Sequence, residues 1–114
     1  MSRTLDIRIE GPVARVFLNR PEVRNAFNDG VIAELTEAFA SLPRKPALRA
    51  IVLGGHGKAF CAGADLNWMR AMAGYGWDDN RADAERLAAM LWAGYRCELP
   101  IVGRIHGDCY AGGV

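Results

Sequence analysis

Two short segments, Phe60-Cys61-Ala62-Gly63-Ala64-Asp65-Leu66 and Tyr110-Ala111-Gly112-Gly113-Val114, each follow an extended run and place small side chains just ahead of an expected helix start. Small side chains let a ligand reach the backbone. The first N–H groups of a helix have no partner within it and carry partial positive charge. Two such groups converging can receive an oxygen on which negative charge develops. Either segment alone reads more readily as a tight packing turn, a common use of glycine. The pair together is the more specific signal.

Other candidate groups are weaker. Gly54-Gly55-His56-Gly57-Lys58 has the glycines and the lysine of a phosphate-cradling loop, but Ala59 stands where a Ser or Thr would hold magnesium, and the upstream glycine spacing is missing. A glycine-rich turn after a buried strand is the expectation there. Asp65 suits a helix cap and Asp108 a turn. Cys61, Cys97 and Cys109 form no Cys-x-x-Cys pair, and His56 and His106 match no metal-binding spacing. Reduced structural thiols and no metal are expected.

The elements that must position these groups follow from the apolar periodicity. Leu5, Ile7 and Ile9 alternate with charged residues, Gly11-Pro12 interrupts, and Val13 to Leu18 resumes, which predicts a β-hairpin with one solvated face. Asn28 stands at an N-cap position for a helix over 29–41, with Ile32, Leu35, Phe39 and Leu42 on one stripe and Pro43 and Pro46 ending it. The run 50–53 predicts a strand covered on both faces. A short helix over 65–73 follows, then a longer one capped by Asp78-Asp79-Asn80 and reaching about Cys97, with Leu87, Met90, Leu91 and Tyr95 on its apolar face. Residues 101–105 predict a further strand. Helices between buried strands imply an α/β class built from βαβ units.

Composition narrows the function classes. The 114 residues are 51% hydrophobic and 24% charged, with a net charge of +1, so no strong field favours nucleic acid or an anionic membrane. The longest apolar stretch, near Leu87 to Tyr95, falls far short of the roughly 20 residues a membrane-spanning helix needs. The run Met1 to Asp6 mixes charge with apolar residues from the start, unlike a signal region, so a cytoplasmic location is expected.

Three motifs in order resemble the enoyl-CoA hydratase/isomerase, or crotonase, family: Asn19-Arg20-Pro21-Glu22-Val23-Arg24-Asn25-Ala26-Phe27-Asn28, then Gly57 to Leu66, then Pro100-Ile101-Val102 with Ile105-His106-Gly107 and Ala111-Gly112-Gly113. The resemblance runs over essentially the whole chain. It implies a crotonase-type α/β spiral of stacked ββα and βαβ units with outer helices, of which residues 1–114 are the N-terminal part of one domain, incomplete at its C-terminus. The substrate implied is an acyl-CoA thioester, with coenzyme A part of the substrate and no separate cofactor. Its carbonyl would sit between the backbone N–H groups of Ala62 and Gly112.

By the same resemblance Val23, Arg24 and Ala26, with Ala62, Gly63, Ala64, Asp65, Leu66 and Gly112, would bind substrate. Arg24 either approaches a CoA phosphate or lies solvated, and both readings stay open. Family glutamates that act as acid and base would lie beyond Val114, so the chain alone is expected to be inactive. Asn67-Trp68-Met69 resembles the branch that hydrates methylglutaconyl-CoA or related branched acyl-CoAs. Hydration of an enoyl-CoA is the leading expectation, with isomerisation, decarboxylation, thioester hydrolysis or a noncatalytic acyl-CoA-binding or assembly role as alternatives. The whole protein would form trimers or paired trimers.

Overall fold

A computed structural model describes residues 4–114. Met1, Ser2 and Arg3, on which part of the reading of the N-terminus rests, lie outside the described residues. Strands β1 (Leu5–Glu10) and β2 (Val13–Leu18) form the expected antiparallel hairpin, with Leu5 opposite Leu18 and Glu10 opposite Val13. Strand β3 (Ala50–Gly55) lies parallel to β2, and β4 (Ile101–Gly103) lies parallel to β3, giving the order β1-β2-β3-β4. Helix α1 (Asp29–Ser41) makes the first crossover; α2 (Leu66–Ala73) and α3 (Trp77–Tyr95) occupy the second. Strand and helix therefore alternate as the α/β reading requires.

Helix α1 forms for local reasons. The Asn28 Oδ1 accepts from the Val31 N–H at 3.0 Å, and Asp29 sits at the positive end of the helix dipole. Ile32, Leu35, Phe39 and Leu42 are all buried, joined by Val31 and Ala38. They pack with Leu18 and Ile51 from the central strands and Met90 from α3. One core lies between the sheet and the α1–α3 pair.

Three expectations change. Of Leu5, Ile7 and Ile9 only Leu5 is buried, because β1 is the edge strand and α1 covers little of it. Strand β3 runs two residues past Leu53, with Gly54 beneath the Phe17 ring and Gly55 beside the Asn25 carboxamide. Helix α3 starts at Trp77 with Gly76 as its N-cap, leaving Asp78 and Asp79 in its first turn, and it ends at Tyr95 rather than Cys97. Of its apolar face only Met90 is buried; Leu87 is half-buried, and Leu91 and Tyr95 are exposed.

Candidate active site

The site is a junction of three segments that the fold draws together from distant parts of the chain. Residues 24–27 run alongside 62–65: the Ala62 N–H donates to the Arg24 carbonyl at 3.0 Å, Phe27 N–H to Gly63 at 2.7 Å, and Asp65 N–H to Phe27 at 2.7 Å. Residues 60–61 run alongside 108–110, where the Phe60 N–H donates to Asp108 at 3.0 Å and the Tyr110 N–H to the Cys61 carbonyl at 3.0 Å. Both pairings are parallel, centred on Phe27 with Ala64 and on Cys61 with Cys109.

Parallel pairing decides which amides are free. Where Phe27 binds the flanking residues Gly63 and Asp65, the polar groups of Ala64 itself point away from the 24–27 segment. Among the described residues no acceptor meets the Ala64 N–H, and none meets the Gly112 N–H in the short 3-10 turn Ala111–Gly113. The two lie close together. A Cβ built on Gly63 would stand 3.8 Å from the Gly112 nitrogen and 3.2 Å from the Ala111 Cβ. Gly63 also has a φ of +94°, a left-handed conformation that side chains rarely adopt. A side chain on Gly113 would stand 2.8 Å from the Cys61 Cβ and carbonyl oxygen, so only glycine permits this approach.

Here the sequence expectation needs correction. The family resemblance implies Ala62 as one of the two open donors, but its N–H is occupied by the Arg24 carbonyl. The open amide on that segment is two residues on, at Ala64.

Val23, Arg24, Ala26, Ala62, Ala64, Asp65 and Leu66 all line one cleft of about 1030 Å³. Gly63 and Gly112 do not. Gly112 borders a separate apolar hollow of about 280 Å³ with Phe27, Leu35 and Met90. Sequence reasoning missed Lys58, Asn67 and Arg70 as cleft residues. Lys58 had a signal, its place behind Gly57 in the rejected phosphate-loop motif. Arg70 had another, its position one helical turn beyond Leu66. Arg24, Lys58 and Arg70 give the cleft three cations against the carboxylates of Glu22 and Asp65.

Asp65 is a structural acid. Its Oδ1 caps α2 by accepting the Trp68 N–H at 2.9 Å, and its Oδ2 meets the Arg20 guanidinium at 3.1 Å. The Trp68 N–H first, and the Arg20 side chain with it, hold the carboxyl below the usual carboxylate range despite burial. Cys61 is fully buried, and burial pushes its thiol pKa up. It stays a protonated thiol, donating to the Asn25 carbonyl at 3.3 Å. Asp108 is exposed and serves through its carbonyl, as a turn residue would. His56 turns away to pair with Asp6 at 2.9 Å, while the His106 Nε2 donates to the Gly57 carbonyl oxygen at 2.7 Å.

Comparison with known proteins gives the family and the fold. The family model for enoyl-CoA hydratase/isomerase matches residues 8–114. A Thermus thermophilus relative named as an enoyl-CoA hydratase is 38% identical over 104 residues, covering 91% of this chain and 41% of its own length. The peroxisomal Delta(3,5)-Delta(2,4)-dienoyl-CoA isomerase of Arabidopsis thaliana is 31% identical, covering 98% of this chain and 45% of its own. The crystal structure of an enoyl-CoA hydratase from Shewanella pealeana superposes with a TM-score of 0.94 at 32% identity, over 97% of this chain and 42% of that one. The chain thus spans less than half the length of the relatives it matches. Its fold is that of the crotonases, and the chain belongs to the enoyl-CoA hydratase/isomerase family.

Proposed function

We propose that the whole protein acts on acyl-CoA thioesters, hydrating an enoyl-CoA, with the thioester carbonyl oxygen accepting from the N–H groups of Ala64 and Gly112. The observation that carries this reading is the pair of neighbouring amides with no acceptor, that of Ala64 on a cleft rich in cations and that of Gly112 beside the separate apolar hollow. Adding water to a conjugated thioester, or moving its double bond, pushes charge onto the carbonyl oxygen. Fixed amide dipoles stabilise that enolate-like state, and losing one donor typically removes about 2.7 to 4 kcal/mol of barrier lowering. Arg24, Lys58 and Arg70 supply positive charge suited to the phosphates of coenzyme A.

No carboxylate of the chain serves as acid or base in this reading. Asp65 lines the cleft but is committed to its cap and its arginine. In this reading the family resemblance puts the acid and base in groups outside residues 1–114, and the chain by itself is expected to show no turnover. The same commitment of Asp65 favours a second reading, binding of acyl-CoA without chemistry. We also propose a cytosolic location, which fractionation would check, and, by likeness to the family, a trimer or paired trimer, which sedimentation would check.

The decisive experiment follows loss of enoyl-thioester absorbance with crotonyl-CoA and methylglutaconyl-CoA. It compares the whole protein, its Gly112→Pro variant and residues 1–114 alone. Proline removes the donor, so a folded variant should lose about 10² to 10³-fold in kcat. Full activity in that variant overturns the Gly112 assignment. Tight CoA-thioester binding by the whole protein with no turnover on any enoyl-CoA supports the second reading. Faster turnover of methylglutaconyl-CoA than crotonyl-CoA supports the branch suggested by Asn67-Trp68-Met69.

A further inference from the structure

The polar groups buried behind the open amides converge on one side chain. Asn25 is 1% exposed, yet every part of its carboxamide is engaged. Its Oδ1 accepts the Arg20 N–H at 2.8 Å. Its Nδ2 lies 2.9 Å from the carbonyl oxygens of His56 and Ala59 and 3.2 Å from that of Phe60. Only an amide offers a donor toward three carbonyls and an acceptor toward an N–H from one rigid plane.

The backbone of Asn25 works in the same direction. Arg24 and Asn25 both have positive φ, 52° and 57°, a conformation that Asn tolerates better than most residues. That turn aims the Arg24 carbonyl at the Ala62 N–H and the Asn25 carbonyl at the Cys61 thiol. One residue thus ties the 56–61 loop to the 20–25 turn through its side chain, and the two segments meet in register immediately beside it. Register decides which amides are consumed. A slip of one residue between 24–27 and 62–65 would point the Ala64 N–H into the pairing and free its neighbours instead.

We propose that Asn25 is a positioning residue for the thioester site: its carboxamide fixes the 56–62 loop against the 24–27 segment so that the Ala64 N–H stays open beside that of Gly112. This rests on the proposed role of those two amides. Asn25 touches no substrate and acts through the loop.

The test uses the whole protein with acetoacetyl-CoA, whose enolate absorbs in the near ultraviolet when two amides polarise its thioester carbonyl. Wild type should develop the enolate band on binding. Asn25→Ala removes the clamp, and Asn25→Asp keeps the acceptor and the backbone preference but turns an oxygen toward the three carbonyls. Either variant, if folded, should lose about tenfold or more of the enolate band at saturating acetoacetyl-CoA, since small misplacement of a site is costly. A full-strength band in a folded variant overturns the positioning role alone. No band in wild type overturns the reading of the two amides, and this inference with it. Should neither variant fold, hydrogen exchange in wild type decides: Asn25 side-chain amide protons protected as strongly as the core backbone support the clamp, and fast exchange overturns it.

Discussion

Asp65 shows how a single carboxylate can line a cleft and still belong to the scaffold. Its oxygens are taken by the Trp68 N–H and the Arg20 guanidinium, and both hold its folded pKa below the ordinary value. A depressed carboxyl contributes stability that is fully present above the unfolded pKa of about 3.9 and is lost as pH falls through the folded value. Asp65→Ala should therefore lower stability by about 1 to 2 kcal/mol at neutral pH, the usual size of a lost cap. Urea unfolding across pH should show the gap between wild type and variant closing below about pH 4. A gap unchanged at pH 2.5, roughly a unit and a half below that value, would mean that the carboxylate's charge contributes nothing. Cys61 carries the second residue-scale expectation. As a buried thiol with a raised pKa, it should react with iodoacetamide at neutral pH far more slowly than the partly exposed Cys97 and Cys109. Mass mapping of the alkylated protein would show the order.

Among the elements, α1 is the one most fully decided by its own residues. Asn28→Ala should cost about 1 kcal/mol through the lost cap. Leu35→Ala, which opens a cavity among Phe39, Ile32 and Met90, should cost about 2 to 5 kcal/mol. Chemical unfolding of the two variants gives both numbers. This helix, the hairpin and the Asp65 cap were legible in the sequence because each rests on residues within a few positions of one another. The apolar face of α3 was not, since periodicity marks a face but not what covers it, and α1 covers only a narrow strip around Met90. Nor could the sequence distinguish Ala62 from Ala64. Which of two amides is consumed depends on pairing with Arg24 and Phe27, some forty residues away, and local pattern carries no register for so distant a partner. Asn25 was in plain view within a motif, but its role needed the three carbonyls of a loop thirty residues on.

At the scale of the whole molecule the apolar surface is uneven. Leu91, Trp92 and Tyr95 on α3 are each more than half exposed, as are Val102, Ile105 and Tyr110 near β4. Trp92 stacks on Tyr95 with ring centroids 5.6 Å apart, and Arg96 lies over Trp92. Several large apolar side chains on neighbouring elements exceed the scattered exposure of an ordinary monomer surface. Residues 1–114 alone should therefore self-associate and brighten a hydrophobic dye, and Trp92→Glu with Tyr95→Lys should reduce both. Light scattering and dye titration would read this, and equal scattering from the two proteins would remove the patch as the cause.

The three-segment junction also sets a timetable for folding. The β1–β2 hairpin closes over two residues, whereas the pairing of Phe27 with Ala64 and of Cys61 with Cys109 must first close loops of 36 and 47 residues. Hairpins form in about 1 to 10 μs, but contacts between distant segments bear the entropy of loop closure before they return any stability. The candidate cleft thus forms late, together with the parallel pairing of β2 with β3 and of β3 with β4, whose partners lie as far apart in sequence. Refolding followed by stopped flow should recover hairpin and helix signals ahead of the proposed competence to bind CoA, leaving an interval in which the chain is partly ordered yet unable to take the proposed ligand.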